Sequence, residues 1–355
     1  MTGLEDEFFK LLGRDNFAKT DNDKIPTLAR DEARRITIYV ERQTIAPFID
    51  RSDTPDETIT HMLDDGTEIV EVPARKFKSK EKLLAIRLCK MYGAIDPAYR
   101  YNAVQDTEHL KNPASVLFGD TMVKSGRDNQ AMFPSRALYS SNYSIQNKDR
   151  VTQRLMHNAL SELGTMWDPV EGKHRQSLFE TEYVVPGTIF PSFIVLKDPT
   201  PGLLYLLLRS LSETSYGAQT SITGPNFRNR VLAVLASKYE PPVSSFTAMQ
   251  FVRAKLKGSS GEGADFGIND TPIEDISRLT LDYVTAEFDN FATRHGGKSL
   301  HGTDLNLLFQ ATAKATKEDV EKTFAQLKAD SEALWEYSYS KKEPKKGKLT
   351  AKDKE

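Results

Sequence analysis

One cysteine, Cys89, stands in 355 residues. No disulfide can close within the chain, and no Cys-rich zinc site can form. Cys89 falls in the apolar-periodic stretch Leu83–Met91, which marks it as a small core residue in a reducing compartment, not a nucleophile. Long apolar runs are lacking too. None approaches 18 residues, and Gly202–Leu208 is far too short to span a membrane. The opening MTGLEDEFFKLLG is acidic and has no apolar h-region, which predicts no signal peptide and a cytoplasmic protein. An excess of one charge is also missing. Lys plus Arg is 48 and Asp plus Glu is 50, a net charge of −2. That excludes nonspecific coating of DNA or membrane, but not a local basic groove. Finally, the phosphate-loop, dinucleotide, zincin and nucleophile-elbow motifs are absent. The six His are scattered, and His295 and His301 lack a third ligand, so neither metal nor cofactor is expected.

What is present is enough apolar material, 39%, for a core. Residues 4–13 predict a short amphipathic helix, and Asn16–Asp31 a mobile arm. Arg35–Ala46, dense in β-branched residues, predicts a strand. Thr58–Met62 and Glu68–Val72 flank the hairpin signal Asp64-Asp65-Gly66. Ser79–Gly93 predicts a helix capped by Ser79, and Val151–Leu163 another. Ala131–Ile145 reads as extended. Leu178–Val185 and Thr188–Leu196, split by Pro186-Gly187, read as a strand–turn–strand pair. Pro201–Leu211 predicts an apolar helix, and Arg228–Ala236 favours a strand. Phe246–Leu256 fits either state, and Gly258–Gly267 reads as a loop. Pro272–Arg294 and Asp304–Tyr337 are helical by period, the second with Thr303 as N-cap. Strands and helices without regular βαβ alternation argue an α+β fold, and their order is compatible with a ferredoxin-like or RRM-like core carrying insertions.

Local charge says more than net charge. RKFKSKEKLLAIRLCK, residues 75–90, holds seven cations against one acid, Glu81. Lys76, Lys78 and Lys80 alternate and would project from one side of an extended lead-in to the helix. Such a row is either a solvated basic face or a track for nucleic-acid phosphates. SYGAQTSITGPNFRNR, residues 215–230, is a loop with neutral donors, Tyr216 and Phe227 as stacking faces, and Arg228 and Arg230 as phosphate partners. An ordinary polar turn is the alternative. Residues 119–144 place Lys124, Arg127 and Arg136 among aromatics, as either a nucleic-acid-covering arm or a packing arm.

Several segments together resemble the backbone subunit of type I-D CRISPR surveillance complexes, in the Cas seven superfamily of RNA-binding proteins. They are VPARKFKSKEKLLAIRLCKMYG (72–93), NPASVLFGD (112–120), SRALYSSNYSI (135–145), SLFETEYVVPGTIFPSFIVLKD (177–198) and SYGAQTS (215–221). The last two are the most specific, and the resemblance spans about residues 35–255. In one place the chain departs from the family. Relatives often carry C-P-x-C before L-Y-G, whereas here Asn112-Pro113-Ala114-Ser115 precede Leu117-Phe118-Gly119, so a metal held there by relatives is not expected.

The resemblance implies a modified RRM-like (ferredoxin-like) palm over 35–257, with inserted helical fingers and a β-hairpin thumb. Residues 1–34 would be an N-terminal arm, 258–340 a helical part packed on the palm, and 341–355 a disordered basic tail. It implies copies stacked head-to-tail on the guide RNA, an open heterologous arrangement. The guide would be presented to target DNA alongside the large subunit, the guide 5′-end-binding subunit and small subunits of Cascade. Lys76, Lys78, Lys80, Arg228 and Arg230 become phosphate contacts, and Tyr216, Gln219 and Ser221 loop contacts. Lys124, Arg127 and Arg136 become thumb or arm contacts, and Arg42 and Arg51 line the groove. A second reading is a nuclease, because related type III backbone proteins cut target RNA with an acid near the end of the first strand. Asp50 and Asp53 lie in the comparable place. A third is an interaction protein whose C-terminal helices dock a partner.

Overall fold

The computed structural model describes residues 3–19, 25–51, 57–101, 107–123, 130–158, 165–168, 170–174, 178–218, 224–260 and 266–339. Asp53, Lys124, Arg127, Gln219, Ser221 and the basic tail 341–355 lie outside the described residues. Helix α1 (Gly3–Leu12) leads to strand β1 (Arg35–Thr44), β2 (Thr60–Met62), β3 (Glu68–Val72) and helix α2 (Ala74–Met91). After α3 (Pro113–Phe118) come β4 (Asp120–Val123), β5 (Gln130–Phe133), β6 (Ala137–Tyr139) and β7 (Asn142–Asn147). One turn, α4 (Lys148–Val151), precedes β8 (Thr152–Asn158), β9 (Trp167–Asp168), β10 (Lys173–His174), β11 (Leu178–Val184) and β12 (Ile189–Lys197). Then follow α5 (Pro201–Ser210), β13 (Phe227–Ser237), α6 (Ser245–Ser260), α7 (Phe266–Asp270), α8 (Ile273–His295), β14 (Lys298–His301), α9 (Gly302–Lys314) and α10 (Lys317–Tyr339).

The central sheet runs β14-β13-β1-β12-β6, antiparallel throughout. Within it β1, α2, β6, β12, α5 and β13 form a strand–helix–strand–strand–helix–strand series in the spatial order fourth, first, third, second. The fold is thus mixed α+β. Ile36, Ile38 and Val40 of β1 pack under α2 and α5, against residues such as Ala85, Cys89, Leu203 and Leu207. On the opposite face Tyr39, Phe193, Ala233 and Leu235 meet Ala248 of α6 and Val284 and Phe288 of α8. Both faces of the sheet are closed, which is why β1 reads as a β-branched run with only partial alternation. Cys89 is buried in the first core, and burial pushes its thiol pKa up, consistent with a packing role.

Five local readings are corrected. Helix α2 starts at Ala74, not Ser79, behind Pro73 as N-cap. Proline ends the ladder of β3 and brings a fixed φ to the helix start. Ser79 lies inside the helix and donates to the Lys76 carbonyl. Residues 152–158 are strand, not helix, paired with β11 from Thr152↔Val184 to Asn158↔Leu178. Leu155 and Met156 are exposed there, so a helix would have had no core to bury them in. Strands β11 and β12 both exist but do not pair with each other: β11 joins β8, and β12 joins β1 and β6. The last helical stretch breaks at Ala315-Thr316 into α9 and α10, and His301, not Thr303, precedes α9. The hairpin around Asp64-Asp65-Gly66 forms as β2–β3, and 246–256 is helical. The segment expected as an arm is anchored: Leu4, Phe8, Leu12, Phe17 and Leu28 belong to the main core.

Candidate nucleic-acid interface

Helix α2 decides what its cations do. Its buried stripe is Phe77, Glu81, Lys82, Ala85, Ile86 and Cys89, a period of about four. On a helix Lys76, Lys78 and Lys80 cannot form one row. Lys76 and Lys80 lie one turn apart on one face, and Lys78 shares the other with Lys82. Lys78 Nζ donates to Ser135 Oγ at 2.8 Å, and burial, with Lys82 nearby, lowers its pKa. Lys82 is spent on Asp120 (3.0 Å) and the Gly119 carbonyl (2.8 Å). Lys80 makes no hydrogen bond or ion pair to any described residue, and Arg75, in the first turn, is exposed.

Lys76 closes onto the segment after β1. Its Nζ lies 3.1 Å from Asp50 Oδ1, off hydrogen-bond alignment, and donates to the Arg51 carbonyl. Asp50 is 1% exposed. Burial raises its pKa to about 6, against the pull of Lys76 and Arg75. The same segment bridges Ile49↔Ala218 and Phe48↔Val184. Gly217, at φ +76°, is the residue that permits this. A Cβ there would sit 2.4 Å from the Ile49 carbonyl oxygen. The first turns of α2, residues 48–51 and the start of the SYGAQTS loop therefore meet at one end of the sheet.

Two residues expected on the surface are inside. Arg42 is fully buried, as is its partner Glu81 at 2.6 Å. Its Nε donates to Ser192 Oγ (3.0 Å), its Nη1 to Asn229 Oδ1 (3.2 Å), and its guanidinium lies 4.2 Å over the Phe77 ring. Burial opposes its charge, but Glu81 together with Tyr216 and Tyr139 raises its pKa above the usual arginine value. Tyr216 is also fully buried. Its hydroxyl donates to Glu81 Oε1 (2.8 Å) and accepts from Asn229 Nδ2 (2.9 Å). Tyr139 donates to the other Glu81 oxygen. Burial and the Glu81 charge push both tyrosine hydroxyls well above their usual pKa. Neither Arg42 nor Tyr216 can meet a phosphate or stack on a base without dismantling this cluster.

The other expected contacts divide. Arg136 donates to the Leu28 carbonyl and lies 3.8 Å from Asp198, pinning the N-terminal segment to the sheet edge. Arg230 is paired with Glu41, which also accepts from Ser277 of α8. Arg228 is exposed, with no hydrogen bond or ion pair to any described residue. It lies opposite Gln43 at the same end of the sheet, on the face away from α2. Sequence reasoning missed Glu81 and Asn229. The signal for Glu81 was available: it is the sole acid among seven cations, four residues from both Phe77 and Ala85. Among the described residues no group of three His, Cys, Asp or Glu is placed to hold a metal ion. At the positions where relatives carry cysteines, Asn112 caps α3 through Ser115 N (2.8 Å) and Ser115 donates to Asp120. Among the described residues no helix is long and apolar enough to cross a membrane.

A family model described as Csc2 Crispr matches residues 72–333. The match runs through the C-terminal helices, well beyond the segments that carry the resemblance in sequence. A crystal structure of Thermofilum pendens Csc2 has a TM-score of 0.55 at 15% identity, covering 93% of this chain and 97% of that one. This likeness is one of fold. A chain of a CRISPR RNA-guided surveillance complex has a TM-score of 0.47 at 11% identity, over 79% of this chain and 100% of that one. No curated protein matches the sequence.

Proposed function

The chain belongs to the Csc2 family of type I-D CRISPR Cascade backbone subunits, and from that premise we propose that it binds the guide RNA spacer as a head-to-tail repeating subunit. The six-element series β1-α2-β6-β12-α5-β13 is the RRM-like palm. Its sheet is closed by α6 and α8, so bases have no open β-platform to stack on. The observation that carries the reading is the convergence of Arg75 and Lys76, with Lys80 one turn further along α2, on residues 48–51 and through them on 216–218 at the end of the sheet. Cations on a helix start beside a tight loop grip phosphates and leave base edges free for target DNA. The hairpin β8–β11, which pairs with no other described strand and exposes Leu155 and Met156, is the thumb that reaches across the guide. Further copies and the other Cascade subunits are the protein partners. Asp50 is buried against Lys76, not open to a metal and substrate, which supports a non-catalytic scaffold.

The test is assembly on a guide RNA of defined length across a salt series. Changing Arg75, Lys76 and Lys80 together to Ala should weaken binding and lower the salt slope by about 0.7 per lost phosphate contact on a single strand. Assembly at raised salt equal to that of the unaltered protein would refute the proposed track.

A further inference from the structure

Tyr216 sits in a closed ring of contacts that begins and ends on α2. Its hydroxyl donates to Glu81 on that helix. Its backbone is fixed by Asn226, which accepts from the Tyr216 N–H at 2.9 Å and donates to the Tyr216 carbonyl at 2.8 Å. Two residues on, Ala218 N donates to the Ile49 carbonyl at 3.0 Å, with Gly217 packed against Phe48. Asp50 and Arg51 follow Ile49 and hold the Lys76 ammonium, returning to α2 one turn before Glu81. The ring has no slack. The side chain of Phe77, between Lys76 and Glu81, fills its centre against Tyr216 and Phe227, with ring centroids 5.0 and 5.2 Å away.

We propose that Tyr216 is a positioning residue for the RNA face: its hydroxyl bond to Glu81 sets the 216–218 loop against residues 48–51 and thereby fixes where Lys76 presents its charge. This rests on the guide-RNA reading above and adds a device that none of the phosphate contacts supplies. A loop free to lift from Glu81 would carry Ile49, Asp50 and Arg51 with it, and Lys76 would lose its fixed carbonyl partner. Tyr216→Phe removes the hydroxyl bond to Glu81 alone, since the ring still fills its cavity and no charge on the chain changes.

The experiment is a double-mutant cycle on the full chain, read as guide-RNA affinity against salt concentration. Y216F is expected to weaken binding about 3- to 10-fold. It should also lower the salt slope by about 0.7, the share of one phosphate contact. K76A should do the same, and the double variant should be no weaker than K76A alone. A merely structural role predicts an unchanged slope and losses that add to those of K76A, since the lost buried hydrogen bond lowers the melting temperature under either role. That result overturns the proposal. Should Y216F not fold, Gly217→Ala parts the loop from Ile49 without touching the buried carboxylate, and the same slope decides. No binding by the unaltered protein would refute the guide-RNA reading itself. Binding by the unaltered protein with unchanged slopes in the folded variants would refute only the role of Tyr216.

Discussion

A charged side chain in this protein is best understood by asking what it touches. Glu81 accepts from Arg42, Tyr139 and Tyr216, so one carboxylate serves β1, β6 and the loop after α5. Asp50 is the contrasting case, a buried carboxylate whose oxygens receive no aligned hydrogen bond. Burial raises its pKa to about 6 from 3.8, despite Lys76 and Arg75 and with help from Glu71. The folded chain therefore binds this proton more tightly than the unfolded chain. Its contribution to stability is full below about pH 4, falls as pH rises to about 6, and stays low above that. Asp50→Asn should remove that fall and gain up to about 3 kcal/mol at pH 7, since each pKa unit is about 1.4 kcal/mol. Urea unfolding of both forms between pH 4 and 8 checks it, and parallel curves would contradict the burial account.

Helix α2 shows how an element sorts like residues into unlike jobs. Three alternating lysines suggest one row, but the helix period turns Lys78 toward Ser135 and leaves Lys80 without a partner among the described residues. Lys78→Ala should cost about 1 kcal/mol of stability through the lost hydrogen bond and leave the RNA salt slope unchanged. Lys80→Ala should leave stability within about 0.5 kcal/mol and lower the slope. Paired melting and salt-titration curves separate the two, and equal behaviour would reject the sorting. The misread strand β8 teaches the same lesson. Val151, Leu155 and Met156 fit a helical period, but pairing with β11, over twenty residues later, sets the backbone there.

At the scale of the whole molecule, the N-terminal segment is part of the core and not an appendage. Phe8 is fully buried, α1 packs on α5 and α9, and Arg136 and Asp198 hold the chain near Leu28 and Glu32. Phe8→Ala should destabilise the full chain by about 3–5 kcal/mol, measured by urea unfolding. A loss under about 1 kcal/mol would mean the segment is dispensable. Closure of both sheet faces also limits where the proposed guide RNA could lie, leaving the strand ends and the β8–β11 hairpin.

By itself the sequence determined the mixed α+β character, the β2–β3 hairpin, most helices, and the concentration of cations at 75–90 in an otherwise acidic chain. These are local properties: turn chemistry, short-range periodicity and charge density act over a few residues. It also held a family likeness strong enough to point to a guide-RNA scaffold. Only the tertiary structure decided which side chains face solvent. Arg42 meets Glu81 across 39 residues, Tyr216 meets Glu81 across 135, and Arg42 meets Asn229 across 187. A buried ion pair needs both members and their hydrogen bonds in place at once, and no local pattern encodes a partner that distant. That is why Arg42 and Tyr216 read as surface contacts in the sequence and stand at the centre of the fold.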